Sequence, residues 1–180
     1  MEKTTQESCV PYRRKTVYLL LTVPMLALYV AVAAFLWTVH LAVFVLYVVF
    51  LVLVALFQSY VCVYWRCPYV GRFAPCVGGF CLPSSQIARL FKGVKRSEKV
   101  YNVAVTLAFI NFAGVILFPI YFIYRFNLIY ALAYLGIVIA YALGFLLLIC
   151  PVCAIRHVCP GGQTALKLAA LLKKKDDGAV

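Results

Sequence analysis

Long apolar stretches separated by short polar segments dominate the chain. Four of them, at 17–39, 41–61, 100–124 and 128–149, reach the roughly 20 apolar residues that a helix needs to cross a hydrocarbon core about 30 Å thick. A single chain crosses lipid as helices because every backbone polar group must be satisfied within the segment. The pattern therefore predicts an all-α integral membrane protein with four transmembrane helices.

The predicted spans form two pairs, and the connections within each pair are very short. His40 separates the first two runs, and Arg125-Phe126-Asn127 separates the last two. We expect two transmembrane hairpins, each followed by a segment rich in cysteine, proline and glycine and then by an amphipathic basic helix. This order occurs twice in the same direction, which predicts a parallel pseudo-repeat. The predicted segments are an N-terminal segment (1–16), hairpin 1 (17–61), cysteine segment 1 (62–85), a basic helix (86–99), hairpin 2 (100–149), cysteine segment 2 (150–162) and a basic C-terminal helix and tail (163–180).

The composition agrees with a membrane protein. Hydrophobic residues make up 66% of the chain and charged residues 12%, whereas soluble domains average roughly half apolar and a quarter charged. The first run follows Arg13-Arg14-Lys15, as the apolar region of a signal peptide would. It exceeds the usual length of about 7–15 residues and leads almost directly into another span, so we expect a retained helix.

The positive charges predict the orientation. Of the 17 lysines and arginines, all but Arg125 lie before the first span, between the second and third, or after the fourth. Because Lys and Arg collect on the cytoplasmic side, both termini and both cysteine segments are expected to face the cytoplasm of a cell membrane. The net charge of +12 is then better explained by contacts with anionic lipid head groups than by nucleic acid, for which the chain has no motif.

The cysteines carry the candidate chemistry. All of the eight except Cys9 lie in the two cysteine segments, where prolines and glycines rule out a continuous helix and favour compact turns. Several thiolates must converge on one point to bind a soft metal, and turn-rich loops allow this. The candidate metal ligands are Cys62, Cys67, Cys76 and Cys81 in the first segment and Cys150, Cys153, His157 and Cys159 in the second.

These ligands fit either two four-coordinate sites or one site shared by both segments, and either zinc or an Fe–S cluster. The leading hypothesis is an accessory, structural or electron-transfer subunit of a membrane complex, with other subunits or further copies of the chain as partners. Whether the protein catalyses a reaction stays open.

Two other functions use the same cysteines. A thiol–disulfide oxidoreductase linked to a membrane quinone would use Cys150 with Cys153 and Cys67 with Cys76, beside neighbouring arginines that stabilise a thiolate. Soft-metal binding or transport is the second alternative, although no cysteine lies deep inside a span. The cysteines could also serve as small apolar residues at the edge of the membrane.

The absence of other motifs narrows the field. All five acidic residues lie outside the predicted spans, which argues against a proton relay or a hard-cation pathway. We expect polar residues inside the spans, such as Gln58 and Asn111, to form hydrogen bonds between helices. The tyrosines, the phenylalanines and Trp65 could form an aromatic binding site, but we interpret them as an aromatic belt at the membrane interfaces.

Overall fold

The computed structural model describes residues 14–67, 70, 84, 86–91, 93, 94, 97–153, 156, 157 and 159–177. These residues are almost entirely helical, and none of them lies in a strand. The helices are α1 (Lys15–Val39), α2 (Leu41–Tyr64), α3 (Glu98–Phe126), α4 (Leu128–Gly144) and α5 (Pro160–Asp177). A π-helical turn, Phe145–Ile149, continues α4, and 3-10 turns occupy Ala88–Phe91 and Cys150–Val152.

The prediction of an all-α chain with four candidate spans is confirmed. Four helical segments, Thr16–Val39, Leu41–Tyr64, Glu98–Phe126 and Leu128–Val152, are long and apolar enough to cross a membrane, which indicates a multi-pass membrane protein. Three of them extend beyond the apolar runs by two or three residues at an end, because backbone hydrogen bonding continues past the last strongly apolar side chain.

The helices form a bundle in which α2 and α3 have the most extensive contact and α1 contacts both α2 and α4. Gly114 of α3 lets the Phe50 ring of α2 approach to 3.4 Å from the position that a Cβ would occupy. A small residue at a helix interface allows such close approach. The side chain of Asn111 donates to the Leu107 carbonyl at 2.7 Å, so it bonds within α3.

Tyrosines fill much of the bundle interior. Five tyrosine side chains are buried there, each at most 6% exposed: Tyr18, Tyr29, Tyr47, Tyr134 and Tyr141. The Tyr134 hydroxyl donates to the Ile116 carbonyl at 3.1 Å, which joins α4 to α3. The belt interpretation is therefore wrong for these five, because they pack against other helices of the chain and do not face lipid.

Two single-residue turns connect α1 to α2 and α3 to α4. His40 and Asn127 both have extended backbones, with φ of −168° and −163°. Each backbone N–H donates to the preceding helix, and each side chain caps the following one: His40 Nδ1 accepts from Ala42 N–H at 3.1 Å, and Asn127 Oδ1 accepts from Ile129 N–H at 2.8 Å. Polar side chains at this position satisfy a donor that the first helical turn leaves open.

Some predictions fall on parts of the chain outside the described residues. Residues 1–13 with Cys9, and most of cysteine segment 1 with Cys76 and Cys81, are among them. The described part of the predicted helix 86–99 includes the 3-10 turn Ala88–Phe91, and α5 covers most of the predicted C-terminal helix. The segment boundaries, the pseudo-repeat and the cytoplasmic termini stay predictions.

The cap at His40 generates a stability prediction. Replacing His40 by alanine removes the acceptor for Ala42 N–H and should lower the free energy of unfolding by about 1 kcal/mol. H40N, which copies the cap at Asn127, should retain most of the stability. Denaturant unfolding in detergent micelles, followed by far-UV circular dichroism, measures both variants.

Candidate thiol site

The first pair of cysteines lies at the C-terminal end of α2. The Cys67 N–H donates to the Cys62 carbonyl at 2.9 Å, and the Arg66 N–H donates to the Val63 carbonyl at 3.1 Å. These are the two hydrogen bonds of a Schellman motif, which ends a helix by turning the chain back over its last turn. Cys62 and Cys67 are both buried in one apolar cluster with Val63 and Ala88. The C-x4-C spacing at 62–67 is therefore the spacing of a helix cap.

Arg66 adopts the left-handed conformation that this cap requires. Its φ is 49°, and among the described residues other than glycine it alone has a positive φ. Glycine usually occupies this position because a Cβ makes the conformation costly. This strained backbone conformation turns the chain so that Cys67 packs against the end of α2.

Aromatic side chains hold the end of α2 against the start of α3. The rings of Tyr64 and Tyr101 stack with centroids 4.2 Å apart, and the Trp65 indole N–H donates to the Tyr101 hydroxyl at 3.0 Å. The Ser59 hydroxyl lies 2.5 Å from the Ala55 carbonyl oxygen and 2.9 Å from that of Ser84. The latter contact holds the end of cysteine segment 1 close to α2.

The second group of cysteines follows the π-helical turn at the end of α4. Tyr18 of α1 packs edge-on against Phe145 with ring centroids 6.2 Å apart. The Arg14 guanidinium donates through Nη1 to the Leu148 carbonyl at 2.7 Å. A cation near the C-terminal end of a helix satisfies its carbonyls and favours the helix dipole. The N-terminal end of α1 thus fixes the turn that leads into Cys150, which is only 6% exposed.

After Cys150 the chain reverses and enters α5. The Cys153 N–H donates to the Cys150 carbonyl, and the Arg156 N–H donates to the Cys153 carbonyl, each at 3.2 Å. Gly162, in the first turn of α5, packs directly on the backbone of Arg156, so a Cβ at this position would collide with it. Gln163 closes the reversal: its N–H donates to the Cys159 carbonyl at 2.9 Å, and its side chain donates to the His157 carbonyl at 3.0 Å.

This reversal gathers three thiols. Cys150 lies within electrostatic range of both Cys159 and Cys153, and Cys153 and Cys159 are partly exposed. The three sulfur atoms do not form a ligand cage, since no three His, Cys, Asp or Glu side chains among the described residues are placed to hold one metal ion. The arrangement is a group of neighbouring thiols at the end of the bundle where α4 and its π-helical turn finish.

His157 is exposed, and its side chain is turned toward an arginine. Its Nε2 accepts from the Arg156 Nε–H at 3.1 Å, and Arg156 also donates through Nη1 to the Pro151 carbonyl at 3.2 Å. With Nε2 used in this way, ligation through that atom would require the imidazole to reorient. Arg156 places a positive charge beside the cysteines of segment 2.

The predicted ligands therefore separate into groups. Cys150, Cys153 and Cys159 come together, and Cys62 and Cys67 come together at the end of α2. His157 is exposed and bonds to Arg156. Cys62 and Cys150 belong to different apolar clusters, and whether the cysteines form one site or two stays a prediction. Cys76 and Cys81 lie outside the described residues.

Three structural residues of the site were missed by sequence reasoning. Arg66 carried no signal, because arginine is not typical of a left-handed cap. Gly162 could have been found from Pro160-Gly161-Gly162, which combines a helix start with residues that allow close backbone approach. Arg14 was interpreted only as part of a topology signal, and its bond to Leu148 joins residues far apart in sequence.

Comparison of the chain with protein-family models, with curated proteins and with solved structures finds no match.

The strained cap predicts an effect of glycine at position 66. Arg66→Gly should raise the free energy of unfolding by about 1 kcal/mol, because glycine adopts a positive φ without steric cost. Arg66→Ala is the matched control, since it removes the same charge but keeps the Cβ. Denaturant unfolding of both variants checks this, and equal stabilities would show that the charge, not the conformation, decides the result.

The close approach of Gly162 predicts the opposite effect in the second segment. Gly162→Ala should lower the free energy of unfolding by about 1–3 kcal/mol and speed alkylation of Cys150, because α5 must move away from Arg156. Gly136→Ala is the control: this glycine lies within α4, and no atom lies within 4 Å of the position that a Cβ would occupy there. It should leave the protein as stable or slightly more stable. Similar destabilisation by both substitutions would contradict the close packing.

Proposed function

We propose that this chain is a four-helix membrane protein that binds a soft metal, zinc or the iron of an Fe–S cluster, through cysteine thiolates at one membrane face. The observation that supports it is the gathering of Cys150, Cys153 and Cys159 at the end of the fourth candidate span. Thiolates are the ligands that such metals prefer. In this role the protein acts as an accessory, structural or electron-transfer subunit of a membrane complex.

The separation of the described cysteines favours two sites over one. Cys62 and Cys67 would contribute to the first site with Cys76 and Cys81. Cys150, Cys153, Cys159 and a reoriented His157 would form the second. The metal would supply the positive charge that several thiolates need when they lie close together.

The pseudo-repeat and the orientation belong to the same proposal. Two single-residue turns with matching backbone and capping geometry, at His40 and Asn127, support two equivalent hairpins. In each half the second helix ends at a cysteine segment, and the positive-inside rule places both segments on the cytoplasmic side.

The decisive measurement is an elemental analysis with an absorbance spectrum on protein purified anaerobically in detergent, together with a count of alkylatable thiols. Stoichiometric zinc with a featureless visible spectrum would establish a zinc site, and iron with sulfide would establish a cluster. Cys153→Ser and Cys159→Ser should each lower the metal content, because a four-ligand site loses a bond. Cys9→Ser, outside both cysteine segments, is the matched control. Metal-free protein with every cysteine alkylated would overturn the proposal.

A second candidate is a thiol–disulfide oxidoreductase that uses Cys150 and Cys153. The observation that favours it is the hydrogen bond from the Cys153 N–H to the Cys150 carbonyl, which closes a tight C-x2-C turn beside Arg156. The same purified protein distinguishes the two functions. For an oxidoreductase it would contain no metal and would show a reversible shift between reduced and oxidised forms on a non-reducing gel, and Cys153→Ser would abolish this shift.

A further inference from the structure

A groove lies between α2 and α3 on the outer surface of the bundle. It has a volume of about 200 Å³ and is open along one side. Its lining is aliphatic and aromatic apart from one carboxamide, and it consists of Val54, Gln58, Val61, Val105, Ala108, Phe109 and Phe112. A concave apolar surface with a single polar anchor is typical of a small-molecule site.

Gln58 has no hydrogen-bond partner within the described part of the chain. Two other polar side chains of these helices, Ser59 and Asn111, contact backbone carbonyls of their own helices. The Tyr47 hydroxyl of α2 also has no partner among the described residues, but Tyr47 is enclosed in the bundle, whereas Gln58 lines an open groove. An unsatisfied carboxamide in hydrocarbon is costly, and a polar group that enters the groove would remove this cost. Such a partner would be mostly apolar and would carry a polar group.

The depth of Gln58 restricts the chemistry of the partner. It lies six residues before Tyr64, or about 9 Å along the helix at about 1.5 Å per residue. Tyr64 and Tyr101 stack at the end of the candidate span α2, where aromatic side chains typically meet lipid head groups. The ester and phosphate oxygens of a glycerolipid lie at that level, and its acyl chain would leave the carboxamide unbonded. The partner therefore brings its oxygen atoms into the hydrocarbon region.

We propose that this groove binds the ring of an isoprenoid quinone. A quinone is flat and apolar apart from its carbonyl oxygens, which accept from the Gln58 NH₂ group. The reduced quinol can donate a hydroxyl to the Gln58 carbonyl oxygen, so one carboxamide serves both redox forms. The ring can pack against Phe109 and Phe112.

The size of the groove agrees with a ring whose tail stays in lipid. Sites that enclose a drug-sized molecule have volumes of about 300–1,000 Å³, so the smaller groove takes a ring and leaves the isoprenoid chain outside. The site does not depend on the proposed metal. It would supply the electron acceptor that thiol oxidation by the second candidate requires.

Intrinsic fluorescence provides a direct test. The chain has two tryptophans, and Trp65 lies at the end of α2 nearer to the groove, whereas Trp37 lies at the opposite end of the bundle. Trp37→Phe therefore leaves one reporter. Titration of this protein with decylubiquinone, in phosphatidylcholine nanodiscs, should give saturable quenching.

Two variants probe the groove in different ways. Gln58→Leu should weaken binding about threefold to tenfold through loss of one hydrogen bond. Ala108→Leu keeps the carboxamide but fills the groove, and should also weaken binding. Thr106→Val is the matched control: Thr106 is exposed on α3 outside the groove lining, and its hydroxyl donates to the Asn102 carbonyl. It should bind as the parent does.

Three results would overturn the proposal. The first is quenching that rises linearly and is unaffected by Gln58→Leu and Ala108→Leu, which would be simple partition into lipid. The second is equal competition by decylbenzene, which lacks the carbonyls and would show a site for plain hydrocarbon chains. The third is a change of oligomeric state by Gln58→Leu without a change in quinone affinity, which would show that a second copy satisfies the carboxamide. None of these results bears on metal content, so the two proposals can fail separately.

Discussion

Lipid cannot hydrogen-bond to an exposed backbone, and this constraint decides where the chain can turn. Inside the candidate spans the helices satisfy their own N–H and C=O groups, and polar side chains such as Asn111 bond to the same backbone. At a helix end the last carbonyls lose their partners. The chain must satisfy them before it can leave the bundle, and both described groups of cysteines lie where this happens.

At both helix ends a backbone hydrogen bond joins two cysteines, but the number of residues between the cysteines differs. At the end of α2 the carbonyl of Cys62 accepts from the N–H of Cys67, and after α4 the carbonyl of Cys150 accepts from the N–H of Cys153. The first is the long bond of a Schellman motif and the second closes a 3-10 turn. In both, the hydrogen bond that ends the helical structure also brings a second cysteine back toward the first. The spacings C-x4-C and C-x2-C are consequences of two ways to end a helix.

The sequence predicted the spans because hydrophobicity along the chain and the thickness of a membrane together determine them. It could not predict which face of each helix packs inside, because apolar residues surround these helices on all sides. Tyr47 and Tyr134 illustrate this: tyrosine is a residue type typical of the membrane interface, yet both side chains are buried in the bundle. The approximate positions of the thiols were predictable from spacing. Their separation into two clusters was not, because it depends on long-range contacts such as those of Arg14 with Leu148 and Gly162 with Arg156.

Burial decides what the gathered sulfurs can do. Cys62 and Cys150 are 9% and 6% exposed and lie in apolar clusters, where an uncompensated thiolate would be costly. Near Cys150, the side chains of Cys153 and Cys159 are partly exposed and therefore more accessible to reagents and metals. In the proposed metal site a bound cation would compensate the charge of the buried thiolate, and in the proposed oxidoreductase the buried thiol would react with an exposed neighbour. A buried sulfur with a more exposed partner is compatible with both proposed functions, and the source of positive charge would distinguish them. It would be a metal ion in the first, and in the second Arg156, whose guanidinium donates to the Pro151 carbonyl inside the C-x2-C turn.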